Sequence, residues 1–455
     1  MKDLTLNRSF FTDTDLRKLI VPLVIEQFLS ILVGLLDTMM VSQVGEAAVS
    51  AVSLVDSVNT LFVFAFAALG TGGAVIAGQY LGRGEVRQAG HAAGQLLLFM
   101  TEVSLLVMAL LYLFRPLVLG RVFGGVEPDV AGYANTYYLI TEASTPFLAV
   151  YSAGAALFRV MGNSRVSMWI SLMMNGINVA GNALLLFGFG MGVEGVAIPT
   201  LVSRMAAAGV MVFLLSRPGQ KLRLEGLRWK HDLYIVKYIL RYGVTNGLES
   251  SMFQLGKILL LSTVSVLGTA AVAANAIGNV VACLGNITGE AMGLAMITVI
   301  SHCVGAGAYR EARFYIKKLM KWIYATYFCC TLLVVLFLPL ILRVYNVSPE
   351  AEFYARQIIL LHSAAGVLLW PASFALPQAL RAAGDTRYTM LVGSISMWTT
   401  RVGLGIFLVR VCGTGVLGIW ISMLVDWVVR STLFVLRILG HRWEKKAIQA
   451  QNQKG

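Results

Sequence analysis

The chain has 455 residues, 57% of them hydrophobic and 13% charged, and its mean hydropathy is +0.75. Soluble globular proteins carry about 25% charged residues, so the composition excludes that class and describes a membrane protein. The formal net charge of +13 would point to nucleic acid only if the basic residues gathered in one patch, and they do not.

Twelve apolar stretches follow one another, each of roughly 20 residues or more, the length an α-helix needs to cross about 30 Å of hydrocarbon. They cover about 17–41, 50–78, 90–114, 131–158, 166–188, 193–215, 240–266, 271–303, 318–343, 357–380, 388–411 and 416–438. Their continuous apolarity argues against a β-barrel, whose strands alternate over about ten residues. The expected fold class is all-α integral membrane. The first stretch is too long for a cleavable signal and lacks a small-residue cleavage site after it, so it reads as helix 1.

Helix 1 contains Pro22, which lacks a backbone N–H and can kink the segment, and Asp37. A charge at mid-membrane costs about 2.5–3.5 kcal/mol on insertion scales, so Asp37 is either a functional carboxylate or sits in the headgroups at the helix end. In helix 5, Asn175, Asn178 and Asn182 are spaced three and four apart and share a face. They either bridge neighbouring helices or join Asp37 and Thr200 of helix 6 in an oxygen-rich pocket for a proton or Na⁺. Helix 7 carries Glu249 and, two turns on, Lys257, which could neutralise a carboxylate, bind an anionic part of a substrate or snorkel. Glu26 in helix 1 is the counterpart of Glu249. Glu102, Glu142, Glu290, Arg401, Asp426 and Arg430 are also embedded and read mostly as structural pairs, Asp426 and Arg430 at i,i+4. Cys283, Cys303, Cys329, Cys330 and Cys412 are odd in number and show no C-x-x-C spacing, so no disulfide or zinc framework is expected.

The connections carry the topology. Five alternate loops hold Arg83, Arg87, Arg159, Arg165, Arg217, Lys221, Arg223, Arg228, Lys230, Arg310, Arg313, Lys317, Lys318, Arg381 and Arg387, whereas the other six hold only Arg115, Arg121, Arg343, Arg356 and Arg410. Lys and Arg gather on the cytoplasmic side, which puts both termini there. The basic excess is topology, and no nucleic-acid partner is expected.

The chain also contains itself twice. Laying residue n on n+223 brings Glu26 onto Glu249, Gly45 onto Gly268, Gly70 onto Gly293 and Arg87 onto Arg310, and a shift of 222 lays "RVMGNSR" from Arg159 over "RAAGDTR" from Arg381. Each repeat holds six helices, an even number, so the repeats run parallel about an axis along the membrane normal, as in several secondary transporters. The expected domains are 1–222 and 223–455, joined through the polar segment Arg217 to Asp232. A cavity between two such bundles can open to either face by rocking. No G-x-x-x-x-G-K-[ST], H-E-x-x-H or G-x-S-x-G is present, so no enzyme activity is expected and the driving force is an ion gradient.

"PLVIEQFLSILVGLLDTMMVSQVG" at Pro22, "GQYLGRGEVRQA" at Gly78, "ALFRVMGNSR" at Ala156 and "ALRAAGDTR" at Ala379 resemble the multidrug and toxic compound extrusion (MATE) family, DinF-like branch, over about residues 12 to 440. The resemblance implies a multi-pass plasma (inner) membrane antiporter, a monomer among membrane lipids, that exports amphipathic, often cationic small organic molecules in exchange for H⁺ or Na⁺. It implies no cofactor, and no firm metal site beyond Na⁺ at Asp37. On this resemblance Pro22 and Asp37 match the bending helix and its coupling aspartate, and Asn178 and Thr200 match the amino-terminal polar cluster. Asn182 stands where many members carry a second aspartate, which weakens a Na⁺ site. Glu249 resembles a helix 7 glutamate used by some members, while Trp370 stands about where its helix 10 aspartate partner would fall. A lipid-linked oligosaccharide flippase of the same superfamily remains the alternative, on Lys257 and Arg401, and a non-transporting scaffold or receptor is a remoter one.

Overall fold

A computed structural model describes residues 10–122, 127–220, 222, 231–345 and 347–452. Lys221, Arg223, Arg228 and Lys230 of the central basic loop, and the side chain of Arg121, lie outside the described residues. Among the described residues all regular structure is helical. The long helices are α1 (Asp13–Ser42), α2 (Glu46–Gly82), α3 (Val86–Leu113), α4 (Pro128–Glu142 continued by Thr145–Val160), α5 (Ser164–Gly188) and α6 (Glu194–Ser216), then α7 (Leu233–Ser265), α8 (Thr269–Gly305), α9 (Tyr309–Leu336), α10 (Pro349–Ala382), α11 (Thr386–Arg410) and α12 (Gly415–Leu439). Ten are long and apolar enough to cross a membrane. The other two differ for visible reasons: α4 is interrupted at Ala143 and Ser144, and α7 carries Lys237, Arg241, Glu249 and Lys257.

Every stretch expected from the sequence has its helix, in order. The largest offsets are at α9 and α10, which begin at Tyr309 and Pro349 rather than near 318 and 357. Apolarity marks the part of a helix that meets lipid; hydrogen bonding continues through polar turns such as the one holding Glu350 and Glu352.

Local signals set the helix ends. At α1, Thr12 Oγ1 accepts from Asp15 N at 3.2 Å and Asp15 Oδ2 accepts from Thr12 N at 3.0 Å, a capping box. The turns after α2 and α8 use Gly84 (φ +80°) and Gly307 (φ +70°), equivalent positions in the two repeats that need the left-handed region. α1 runs unbroken through Pro22. Pro22 cannot donate to the Lys18 carbonyl, and the buried Ser164 hydroxyl at the start of α5 lies 3.3 Å from that carbonyl and 2.6 Å from that of Leu19.

The described chain forms two compact units, Phe11–Gly247 and Leu248 onward. Packing divides inside α7, whereas the repeat divides at the polar linker, near the expected 222/223 boundary. The first turns of α7 go with the first unit because Ile235 and Ile239 are buried in its core with Ala92, Leu96, Leu157 and Met211. In the second unit α8 and α10 approach closely at Gly289, where an added Cβ would fall on the Trp370 ring. A short helix, Arg442–Asn452, docks on the same unit at the start of α9 and the end of α10, through the fully buried Trp443 against Tyr309 and through Lys446, which pairs with the buried Asp385, itself held by Arg437 at 2.8 Å.

Candidate functional site

α1, α5 and α6 bring Asp37, Asn178, Asn182 and Thr200 together. Asn182 Nδ2 donates to Asp37 Oδ1 at 2.8 Å. Asn178, one turn earlier on the same face, satisfies both neighbours when its Nδ2 faces the carboxylate, 2.9 and 3.2 Å from the two oxygens, and its Oδ1 accepts from Thr200 Oγ1 at 3.0 Å. Asn182 is fully buried and its Oδ1 has no partner, an acceptor with nothing to accept. Asn175 is half-buried and takes no part in these bonds.

Three charged residues near this cluster were not singled out as site residues from the sequence. Asp56 on α2 accepts from Tyr137 Oη of α4 at 3.2 Å. Arg204 on α6 donates to Ser144 Oγ at 2.7 Å, in the interruption of α4, and lies within electrostatic reach of Asp37, Asp56 and Glu142. Glu142, read from the sequence as structural, has no cationic partner at ion-pair distance among the described residues. It is fully buried, its Oε2 accepts from Thr145 Oγ1 at 3.1 Å and its Oε1 has no partner. The same reasoning that singled out Asp37, a charge inside an apolar run, applies to Asp56 in "AVSLVDSVNTLF" and to Arg204 in "TLVSRMAAAG". The first unit thus surrounds a small polar region with three carboxylates and one guanidinium.

The two repeat-equivalent glutamates do something else. Glu26 lies 3.7 Å from Arg159 and accepts from Ser167 Oγ at 2.9 Å. Glu249 accepts from Arg381 Nη2 at 2.7 Å. Both repeats therefore build the same bond between their first and fourth helices, and the partner of Glu249 is Arg381 rather than Lys257. Asp426 and Arg430 form the expected i,i+4 pair at 3.0 Å. Lys257 instead lies over the Phe253 ring, 5.2 Å from its centroid.

The repeat separates shared from particular residues. Adding 223 to Asp37, Asp56, Thr200 and Arg204 gives Leu260, Asn279, Met423 and Trp427, and adding 222 to Asn178 and Asn182 gives Thr400 and Leu404. None of the charged positions keeps its charge, whereas both Glu–Arg pairs are kept. The Glu–Arg pairs are thus common to both bundles, and the Asp37 cluster is particular to the first.

The family model MatE matches residues 22–184 and 247–407, once in each repeat. The chain is 26% identical over 444 residues to "Probable multidrug resistance protein NorM" of Thermotoga maritima, covering 95% of this chain and 94% of that protein. It is 24% identical over 438 residues to "Uncharacterized transporter YisQ" of Bacillus subtilis, covering 94% of each. Among solved structures, a MATE crystal structure described as being in the bent conformation superposes with a TM-score of 0.87 at 18% identity, over 95% of this chain and 96% of that one. An outward-facing multidrug resistance MATE transporter gives a TM-score of 0.84 at 18% identity, over 95% and 96%. At that identity these structures speak for the fold alone.

Proposed function

The chain belongs to the MatE family, whose members are transporters rather than enzymes, and on that premise we propose that it exports amphipathic, often cationic organic compounds from the cell by antiport. The proposed setting is the plasma membrane, with both termini cytoplasmic and each chain working as a monomer. No cofactor is involved; the coupling ion is H⁺, and Asp37 carries it.

The observation behind this reading is the Asp37 cluster, a carboxylate on a membrane helix met by two amide nitrogens from α5. Low-dielectric surroundings disfavour a charged carboxyl, so a change in hydration or in neighbours can move a proton on or off it. The amides favour the ionised form by donating to it. Protonation removes the acceptor they need and takes away the charge that attracts a cationic cargo. Ion and cargo thereby prefer different states, which is the condition for coupling, and rocking of the repeats carries that preference from one side to the other. Pro22 supports a change of shape in α1, because the Lys18 carbonyl depends on Ser164 rather than on its own helix. Na⁺ is the poorer candidate. Asn182 places a neutral amide, and no second carboxylate, beside Asp37, so the cluster offers a cation little compensating charge.

Dye efflux from proteoliposomes under an imposed pH gradient, and separately a Na⁺ gradient, tests the proposal. Efflux driven by the pH gradient alone supports it; efflux driven only by Na⁺ removes the proton assignment. A lipid or lipid-linked oligosaccharide flippase is the second reading, favoured by the cations of the second unit, Lys257, Arg401 and Arg430. Lipid scrambling without dye efflux in the same liposomes would decide for it.

A further inference from the structure

The second unit gathers cations where the first gathers carboxylates. One phenyl ring, Phe253 of α7, has three cationic groups close to its centroid: Lys257 Nζ at 5.2 Å, Arg401 Cζ at 5.1 Å and Arg430 Cζ at 5.7 Å. Arg430 is neutralised. Its Nε donates to Asp426 Oδ1 at 3.0 Å and to Ser396 Oγ at 2.9 Å, and its Nη2 to the Gly393 carbonyl at 2.7 Å. The other two are not. Arg401, on the π-helical turn Met397–Gly403, is 8% exposed and its Nε has no acceptor. Lys257 is exposed and makes no ion pair among the described residues. Glu249, on its own helix, is already bound to Arg381.

Among the described residues no carboxylate reaches Lys257 or Arg401 at contact distance; the acid in whose field Arg401 lies is Asp426, which is already bound to Arg430. Glu290 and Cys283 of α8 interact with Lys257 only at longer range, and His362 of α10 stands between Trp420 and Trp427, with centroids at 5.7 and 5.2 Å. Removing the corresponding repeat offset from Lys257, Glu290 and Arg401 gives Gly34, Ala67 and Val179, so the cluster belongs to this repeat alone. Two like charges beside one ring repel, and a cation–π contact with that ring offsets only part of the repulsion. A buried guanidinium N–H without an acceptor is left with its desolvation uncompensated. An oxyanion beside Phe253 would relieve both. Next to it lies an aromatic run: Tyr327, Trp370 and Phe374 stack at 5.2 and 5.5 Å, and Phe374 meets Phe253 edge-on at 6.3 Å.

We propose that the second unit binds an organic anion, an oxyanion head taken by Lys257 and Arg401 beside Phe253 and an aromatic body against the Phe374 side of that ring. The site goes beyond cation export. It rests on the transporter reading only in that its occupant is cargo or a co-ligand, and binding can be measured without transport.

The test is calorimetric titration of 2-naphthoate into the full chain in phosphatidylcholine nanodiscs, with empty discs subtracted and 2-naphthylmethylammonium as the charge-reversed control. The parent should bind naphthoate. Lys257→Gln should weaken that binding at least tenfold, about 1.4 kcal/mol, and Lys257→Arg should restore it. Binding is read with no gradient imposed, so failure of the proton-coupling reading, seen only in dye efflux, is recorded separately. The head's source is read by adding phosphatidylglycerol: competition assigns the site to a headgroup phosphate, and none assigns it to a free organic anion; either retains an anion site. No binding above empty discs, equal binding by Lys257→Gln, or equal loss of the ammonium control in that variant would overturn the proposal.

Discussion

Glu249→Gln separates a structural carboxylate from a coupling one. In the structure Glu249 Oε2 and Arg381 Nη2 are 2.7 Å apart, with side chains 12% and 16% exposed. Removing one partner of a fully buried pair costs about 3–5 kcal/mol, because the other charge is left without compensation. Residual exposure screens part of this, so about 3 kcal/mol is expected. At roughly 2–4 °C per kcal/mol for a unit of this size, the apparent melting temperature in detergent should fall by about 6–12 °C. Combining Glu249→Gln with Arg381→Gln should recover much of the loss, since no charge is then stranded. The assay is fluorescence-detected thermal unfolding of the parent, both single variants and the double variant, with dye efflux measured below the lowest transition. Efflux should keep the parent's dependence on the pH gradient. A Glu249→Gln variant as stable as the parent but blind to the gradient would refute the reasoning and make Glu249 a coupling group.

Ser164→Ala leaves the Lys18 and Leu19 carbonyls without the hydroxyl, and should lower stability by about 1 kcal/mol, read as a small drop in the same thermal assay. Gly289→Ala places a methyl on the Trp370 ring and should cost about 1–3 kcal/mol by overpacking; an unchanged melting temperature would mean that α8 and α10 are not held this closely. Asn182→Asp adds a second carboxylate beside Asp37 and should make dye efflux respond to a Na⁺ gradient. Efflux still indifferent to Na⁺ would remove the argument that the amide disfavours the metal ion.

Much of the fold was legible because lipid makes one demand: a helix that crosses it must be apolar for about 20 residues. Ten of the twelve long helices answer to that. The repeat added the Glu26–Arg159 and Glu249–Arg381 bonds, since the sequence carried both members at matching offsets, although only geometry shows that they bond. What the apolar pattern could not mark was where polar turns prolong a helix, as at Tyr309, or where packing divides, as inside α7. The site was half legible. Asp37, Asn178, Asn182 and Thr200 were chosen on spacing and resemblance, and the structure brings them together. Asp56, Tyr137 and Arg204 reach the same region from α2, α4 and α6, and no local spacing links residues on different helices. Glu142 reads as a structural pair from sequence; its orphaned oxygen is visible only once the surrounding atoms are placed.

The central claim is that Asp37 couples a proton to export. The direct measurement is pH-gradient-driven dye efflux from proteoliposomes holding equal amounts of folded parent or Asp37→Asn. The account predicts that the variant, with the parent's thermal transition, shows no efflux above protein-free liposomes when the gradient is imposed. Gradient-driven efflux at the parent's rate from Asp37→Asn would contradict it.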